Sequence, residues 1–298
     1  MPELPEVEVL ARYLAPLLKD QTIREVQVRR PRVIYSASPA RFKRALRGAR
    51  FVDLSRRGKY LLFTLRRPRE RAAFPLLGHL GMTGRMYLQP SSAPLDKHAA
   101  VVFSVGKSDF VFEDMRCFGS LRLDAAPLET LGPEPLGEEF TADYFAAALK
   151  RSAQPIKVKL LDQSLVAGVG NIYASEALFR AGVSPRLAAQ RVTRTQAERL
   201  WHSVRATLTD AIQFGSAVSL DWSGKGTREG LFYYGGAEGM TDDYEERLLV
   251  YDRAGRPCSV CGTAIRRIVQ AARSTFYCPH CQRRGTGKTS VDGAETDL

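Results

Sequence analysis

The chain has 298 residues, 44% of them apolar and 26% charged, which excludes global disorder and a collagen-like fibre and leaves room for about two domains. Lys and Arg number 44 against 32 Asp and Glu, and the resulting +12 favours a polyanionic partner, nucleic acid before anionic membrane. Apolar stretches such as Tyr60–Leu65 are far shorter than the roughly 20 residues of a membrane span, so no membrane partner is expected.

The opening MPELPEVEVL carries three glutamates and no Lys or Arg, unlike a signal or transit peptide, so a cytoplasmic, reducing location is expected. Val7, Leu10, Ala11, Leu14 and Leu18 fall at helical spacing, and Pro16 leaves the end of that helix open. Short β-rich runs follow at 26–30, 51–54, 60–65, 101–105, 110–113 and 120–123, separated by turn residues. They predict an antiparallel sandwich or barrel with a helix at its start.

After Leu131-Gly-Pro-Glu-Pro-Leu136, whose prolines read as a linker, the pattern turns helical. Thr141 is a plausible N-cap for a helix to Lys150, and Thr195-Gln-Ala-Glu198 reads as a capping box for a longer one stopped by Gly215. Between them, 157–166 and 172–181 read as two helices joined by the turn Gly168-Val-Gly170, with Asn171 at its tip. Backbone N–H groups at such a turn suit a phosphate. The same glycines match a dinucleotide-binding fingerprint through Ala174, but Arg191-Val-Thr-Arg194 stands where its ribose-binding acid belongs, which argues against that reading.

Residues 219–246 form a glycine-rich stretch read as a long functional loop, and 283–298 a polar, disordered tail. Between them Cys258, Cys261, Cys278 and Cys281 have the spacing C-x2-C-x16-C-x2-C. In a reducing compartment that pattern holds one tetrahedral zinc ion, and four protein ligands leave it structural rather than catalytic. Cys117 stands apart.

Pro2 permits removal of Met1, which makes the new N-terminus a secondary amine. An α-amino group is appreciably neutral near physiological pH and can attack a sugar C1′ to form an iminium ion directly. Glu3 beside it is a carboxyl group able to move protons as the sugar ring opens.

MPELPEVE, Gly58-Lys59-Tyr60-Leu61, His79-Leu-Gly-Met-Thr-Gly84, Gly168-Val-Gly-Asn-Ile-Tyr-Ala-Ser-Glu176 and the cysteine pattern, in that order from Met1 to about Gln282, together resemble the formamidopyrimidine-DNA glycosylases. The resemblance implies an α+β multidomain fold: an N-terminal β-sandwich flanked by helices, then a helix–two-turn–helix domain and a zinc-finger β-hairpin. The expected boundaries are 1–131 for the catalytic sandwich, 132–140 for a linker, 141–246 for the helical domain with a lesion-covering loop at 219–246, and 247–282 for the zinc finger. It implies a monomeric base-excision glycosylase and abasic-site lyase, acting on double-stranded DNA with oxidised purines or abasic sites in the bacterial nucleoid. Pro2 is then the nucleophile, Glu3 the acid/base residue, Lys59 the base or acid of β-elimination, and Arg273 a phosphate ligand with a part in δ-elimination. Met82, Arg116 and Phe118 match a void-filling triad for the flipped-out base, and His98, Lys157 and Asn171 match phosphate contacts. Two departures stand out: Cys117 in Asp114-Met-Arg-Cys-Phe-Gly119 and Ala153, each where the family commonly has a basic residue. Glu3-Leu4-Pro5 and Met82 favour the purine branch over its oxidised-pyrimidine relatives, while a non-catalytic zinc-dependent nucleic-acid binder leaves Pro2-Glu3 without a role.

Overall fold

The computed structural model describes residues 2–68, 70–217 and 247–283. The glycine-rich stretch, with Tyr233 and Tyr234, lies outside the described residues, as does the tail beyond Arg283. No helix among the described residues is long and apolar enough to cross a membrane.

Helix α1 (Leu4–Leu18) opens the chain and belongs to both cores. Val7, Leu10, Ala11, Leu14 and Leu18 enter the sandwich core, while Leu4 and Val9 enter the helical one. A helix apolar on more than one face is buried between layers, and here it joins two of them. Pro16 lies inside the helix without ending it. Both Pro16 and Arg12, whose carbonyl loses its helical donor to the proline, are on the exposed side of the helix.

The sandwich consists of two sheets. In one, the order is β1 (Ile23–Val28), β7 (Ala99–Val105), β8 (Ser108–Glu113), β6 (Arg85–Pro90). In the other it is β2 (Ile34–Tyr35), β9 (Ser120–Arg122), β5 (Ala73–His79), β4 (Tyr60–Arg66), β3 (Arg50–Arg57). Phe51, Phe63, Phe103 and Phe110 meet between the sheets in stacked and edge-on pairs with centroids 5.5–6.1 Å apart.

Strands β2, β5 and β6 and helix α2 (Pro39–Leu46) were absent from the elements expected above. Pro75 and Gly78 disguise β5. The strand survives because β9 pairs only with Leu77–His79, leaving one side of β5 open at Pro75. Helix α2 had a readable start: the Ser38 hydroxyl accepts from the Arg41 N–H, and Pro39 occupies the first turn.

The helical half contains α3 (Ala142–Lys150), α4 (Ile156–Leu160), α5 (Asn171–Arg180) and α6 (Arg194–Ala217). Thr141 caps α3 as expected, accepting from Tyr144 N–H. The expected helix over 157–166 is confined to α4, because Asp162 draws Ser164 N–H into a turn instead. The capping box of α6 lies two residues earlier than expected: Thr193 Oγ1 accepts from Gln196 N–H, and Gln196 Oε1 accepts from Thr193 N–H. Gly215 does not stop α6, which continues to Ala217. The 132–140 segment is tied to the helices, with Arg205 donating to the Pro135 and Gly137 carbonyls. The chain closes on the hairpin β10 (Arg266–Gln270) and β11 (Arg273–Tyr277).

Candidate active site and nucleic-acid interface

The N-terminal residues are held where the two cores meet. Pro2 and Glu3 are buried, and Glu3 N–H donates to Glu6 Oε2 at 2.7 Å across the first turn of α1. Glu3 Oε1 accepts the Ile172 N–H at 3.0 Å, so the N-terminus of α5 carries this carboxylate. The expected phosphate-binding turn is thus partly engaged from within, since Gly168 N–H is also taken, by Gln163 Oε1. Gly170 leaves the room that Glu3 occupies: a Cβ there would stand 2.2 Å from the Glu3 carboxyl carbon. Glu3 Oε2 is buried with no hydrogen-bond partner among the described residues.

Glu6, fully buried, also accepts from Tyr173 Oη. Burial, reinforced by the neighbouring Glu3 charge, raises its pKa to about 7.

Lys59 follows Gly58 in the β3–β4 turn and is 9% exposed. Burial lowers its ammonium pKa; Glu3 opposes the shift and Arg273 adds to it. The turn is fixed by Glu134, which sequence reasoning assigned only to the linker. Its carboxylate accepts Gly58 N–H at 2.6 Å, Arg57 Nη1 at 2.8 Å and Arg56 Nη2 at 2.7 Å. Arg56 continues to Glu8 of α1 at 2.6 Å, and Arg57 to the Gly132 carbonyl at 2.6 Å. The segment between the cores therefore positions Lys59.

Beside Lys59, His79 pairs across the sheet with Tyr60, and burial plus the Lys59 charge lower its pKa to about 4. Its Nδ1 accepts Gly81 N–H at 3.1 Å, which leaves the proton on Nε2.

The expected phosphate contacts Lys157, Asn171 and Arg273 come together. Lys157 Nζ donates to Asn171 Oδ1, and Asn171 Nδ2 donates to the Ser274 carbonyl at 2.9 Å. Lys157 is fully buried, and burial together with the Arg273 charge lowers its pKa to about 8, against the pull of Glu3. Arg273 itself is exposed and begins β11, immediately after a two-residue turn in which Ala271 and Ala272 both have positive φ.

Met82, Arg116 and Phe118 lie on two loops that Asp114 binds together. Asp114 Oδ1 accepts from Thr83 Oγ1 and Arg116 N–H, and Oδ2 from Gly119 N–H at 2.7 Å. Gly81 lies so close to Gly119 that a Cβ would meet its nitrogen at 2.5 Å. Above this rigid base Met82 is 42% and Phe118 60% exposed, and Arg116 is also exposed. Large apolar side chains held out from a buried base are a candidate wedge rather than core. Asp114 was legible only as part of the quoted motif, since its burial and its bonds depend on the fold.

His98 is joined to this base through its carbonyl, which accepts Asp114 N–H at 3.1 Å. Arg30, at the end of β1, reaches the same loops; nothing in the local sequence distinguished it from the other arginines.

The four cysteine sulfurs lie within 4.8 Å of one another, with separations of 3.5 Å for Cys261–Cys278 and Cys261–Cys281 and 3.9 Å for Cys258–Cys281. Zn–S bonds of about 2.3 Å make a tetrahedron with edges of roughly 3.8 Å, whereas a disulfide needs about 2.05 Å. The donor set fits one structural zinc ion. Gln282 fastens the finger to the helical core, accepting Cys278 N–H and donating to the Val183 carbonyl, each at 2.9 Å.

Three family models match in order: the formamidopyrimidine-DNA glycosylase N-terminal domain over residues 1–121, its H2TH domain over 131–221, and a zinc finger found in FPG and IleRS over 255–284. A formamidopyrimidine-DNA glycosylase of Symbiobacterium thermophilum is 42% identical over 95% of this chain and 89% of its own length. The Lactococcus lactis formamidopyrimidine-DNA glycosylase, solved non-covalently bound to DNA containing an abasic site, aligns at TM-score 0.81 with 30% identity, over 95% of this chain and all of that one. MutM from Thermus thermophilus aligns at TM-score 0.78 with 38% identity, over 96% of this chain and 100% of that one. The chain belongs to the formamidopyrimidine-DNA glycosylase family.

Proposed function

We propose that this chain excises 8-oxoguanine and formamidopyrimidines from double-stranded DNA and then cleaves the strand at the resulting abasic site. With Met1 removed, the Pro2 amine attacks C1′, the bond to the damaged base breaks, and opening of the sugar ring leaves an iminium between Pro2 and C1′. Glu3 exchanges the proton that ring opening demands. Lys59, whose lowered pKa enlarges its neutral fraction, serves as the base or acid of β-elimination, and Arg273 faces the scissile phosphates through δ-elimination. Lys157, Asn171 and His98 hold neighbouring phosphates. Met82 and Phe118 fill the gap left by the extruded base, and Arg116 offers donors to the orphaned cytosine. The working units are 1–131, 141–246 and 247–282 with 132–140 between the first two, and the place of action is the bacterial nucleoid.

The observation that carries this reading is Glu3, buried next to Pro2 at the N-terminus of α5 with Oε2 unpartnered among the described residues. Leaving a buried carboxylate oxygen unbonded costs stability, which suits a group whose partner arrives with substrate.

Borohydride trapping on duplexes carrying 8-oxoguanine or an abasic site, with oxidised-pyrimidine duplexes as controls, tests it. The expected result is a covalent adduct mapped to Pro2, lost when the N-terminus is extended while DNA binding persists. Efficient trapping by the extended protein rules out Pro2; no adduct from zinc-loaded, correctly processed protein rules out the lyase.

A further inference from the structure

We infer that Arg30 is a positioning residue that joins the 96–98 and 114–117 loops and fixes the His98 imidazole with Nε2 as its hydrogen-bond donor. The inference builds on the proposed role of His98 as a phosphate contact.

Arg30 leaves β1 just before Pro31, and its backbone N–H is tied to the Ala100 carbonyl at 3.0 Å. From that anchored base the guanidinium spreads over two loops. Nη1 donates to the Asp114 carbonyl at 3.2 Å and the Met115 carbonyl at 3.3 Å, and lies 3.7 Å from Cys117 Sγ. Nη2 donates to the Lys97 carbonyl at 3.0 Å and meets His98 Nδ1 at 2.9 Å.

A guanidinium has five N–H donors, no acceptor, and does not lose its proton in proteins. The ring nitrogen facing it must therefore present a lone pair, so the imidazole hydrogen sits on Nε2. A phosphate oxygen is only an acceptor, and a histidine contact to it needs an N–H. Arg30 thus selects the tautomer whose free nitrogen can serve. The same side chain fixes the two carbonyls that precede Arg116, so the phosphate contact and the wedge loop share one anchor. Cys117, with φ +53°, donates its thiol to the same Asp114 carbonyl that Arg30 holds. A cation thus stands beside position 117, carried by the segment that follows β1.

The test uses the zinc-loaded full chain at pH 7.5, with long-range proton–nitrogen spectra of the imidazoles, the His98 signals being assigned by their loss in His98→Asn. In the free wild type His98 is expected to show an unprotonated Nδ1 and a protonated Nε2; Arg30→Met should give a mixture of tautomers, and Arg30→Lys should largely restore the wild-type pattern. A wild-type His98 protonated on Nδ1, or a pattern unchanged in Arg30→Met, overturns the inference. Affinity for a duplex with an abasic-site analogue supplies the second arm. Arg30→Met is expected to weaken it about tenfold, the size of one charge-assisted hydrogen bond, and by clearly less in a His98→Ala background. Equal losses in both backgrounds overturn the coupling of Arg30 to His98. Should Arg30→Met fail to fold, Arg30→Leu carries the same two readings. If His98→Ala alone leaves affinity unchanged, the phosphate role of His98 fails while the tautomer result stands.

Discussion

Glu3 and Glu6 share one helical turn, yet their surroundings set them different tasks. Glu3 has the α5 N-terminus to compensate its charge, whereas Glu6 has a tyrosine hydroxyl and the repulsion of Glu3. With a folded pKa near 7 against 4.5 unfolded, Glu6 binds a proton in the fold that the unfolded chain has released. Its contribution to stability is fully present below pH 4.5 and fades as pH rises to about 7, on the order of 3 kcal/mol in total. Chemical denaturation across that window should show wild-type stability falling with pH and a flatter profile for Glu6→Gln. A matching slope in the variant means Glu6 is not the group responsible. Gly170→Ala is a second residue-scale prediction. The added Cβ displaces Glu3, so borohydride trapping should fall by about a hundredfold or more, the scale of losing a positioned acid/base group, while DNA binding changes little.

At the scale of elements, the β10–β11 hairpin shows strain beside Arg273. Its turn needs two left-handed residues, a conformation suited to Asn-Gly, and the chain has Ala271-Ala272. Ala272→Gly should stabilise the hairpin by about 1 kcal/mol, read as slower amide exchange across β10 and β11. Glu134 extends the same logic to the β3–β4 turn. Glu134→Ala strands Arg56, Arg57 and the Gly58 N–H together, and should cost roughly 3 kcal/mol of stability as well as lyase rate. Rate loss without any fall in thermal midpoint would mean that Glu134 acts on Lys59 alone. Neither effect was visible in the motifs. Gly-Lys-Tyr marked the turn and Leu-Gly-Pro-Glu-Pro-Leu marked a boundary, but residues 58 and 134 are far apart along the chain and meet only in space.

Across the whole molecule, α1 and the 132–140 segment bind the two cores into one frame, and the zinc finger is fastened to the helical core with Arg273 exposed on it. DNA affinity should fall linearly in log–log plots against salt, and removal of Arg273 should reduce the slope by about one. Chelating the metal should release the hairpin carrying Arg273 and abolish binding to damaged duplex, while circular dichroism of the sandwich persists. Unfolding of the entire chain by chelator would instead make the finger part of a single cooperative unit.

The sequence by itself determined the cysteine ligand set, the helical stripe of α1, the Thr141 cap and the ordered motifs, because each is written in short spacings that local geometry reads directly. It left β5 hidden behind Pro75, since an unpaired strand side is a property of β9's length. It placed the α6 capping box at 195–198 when Thr193 and Gln196 form it, because two overlapping patterns satisfy the same local rule. Only the tertiary structure decided that the Gly168–Gly170 turn receives Glu3, that Glu134 holds the Lys59 turn, and that Arg30 faces His98. The physical reason is the same in each case: a charge or N–H wholly or partly withdrawn from water needs a partner, and that partner is chosen by proximity in space, across separations of 169, 76 and 68 residues that no local pattern encodes.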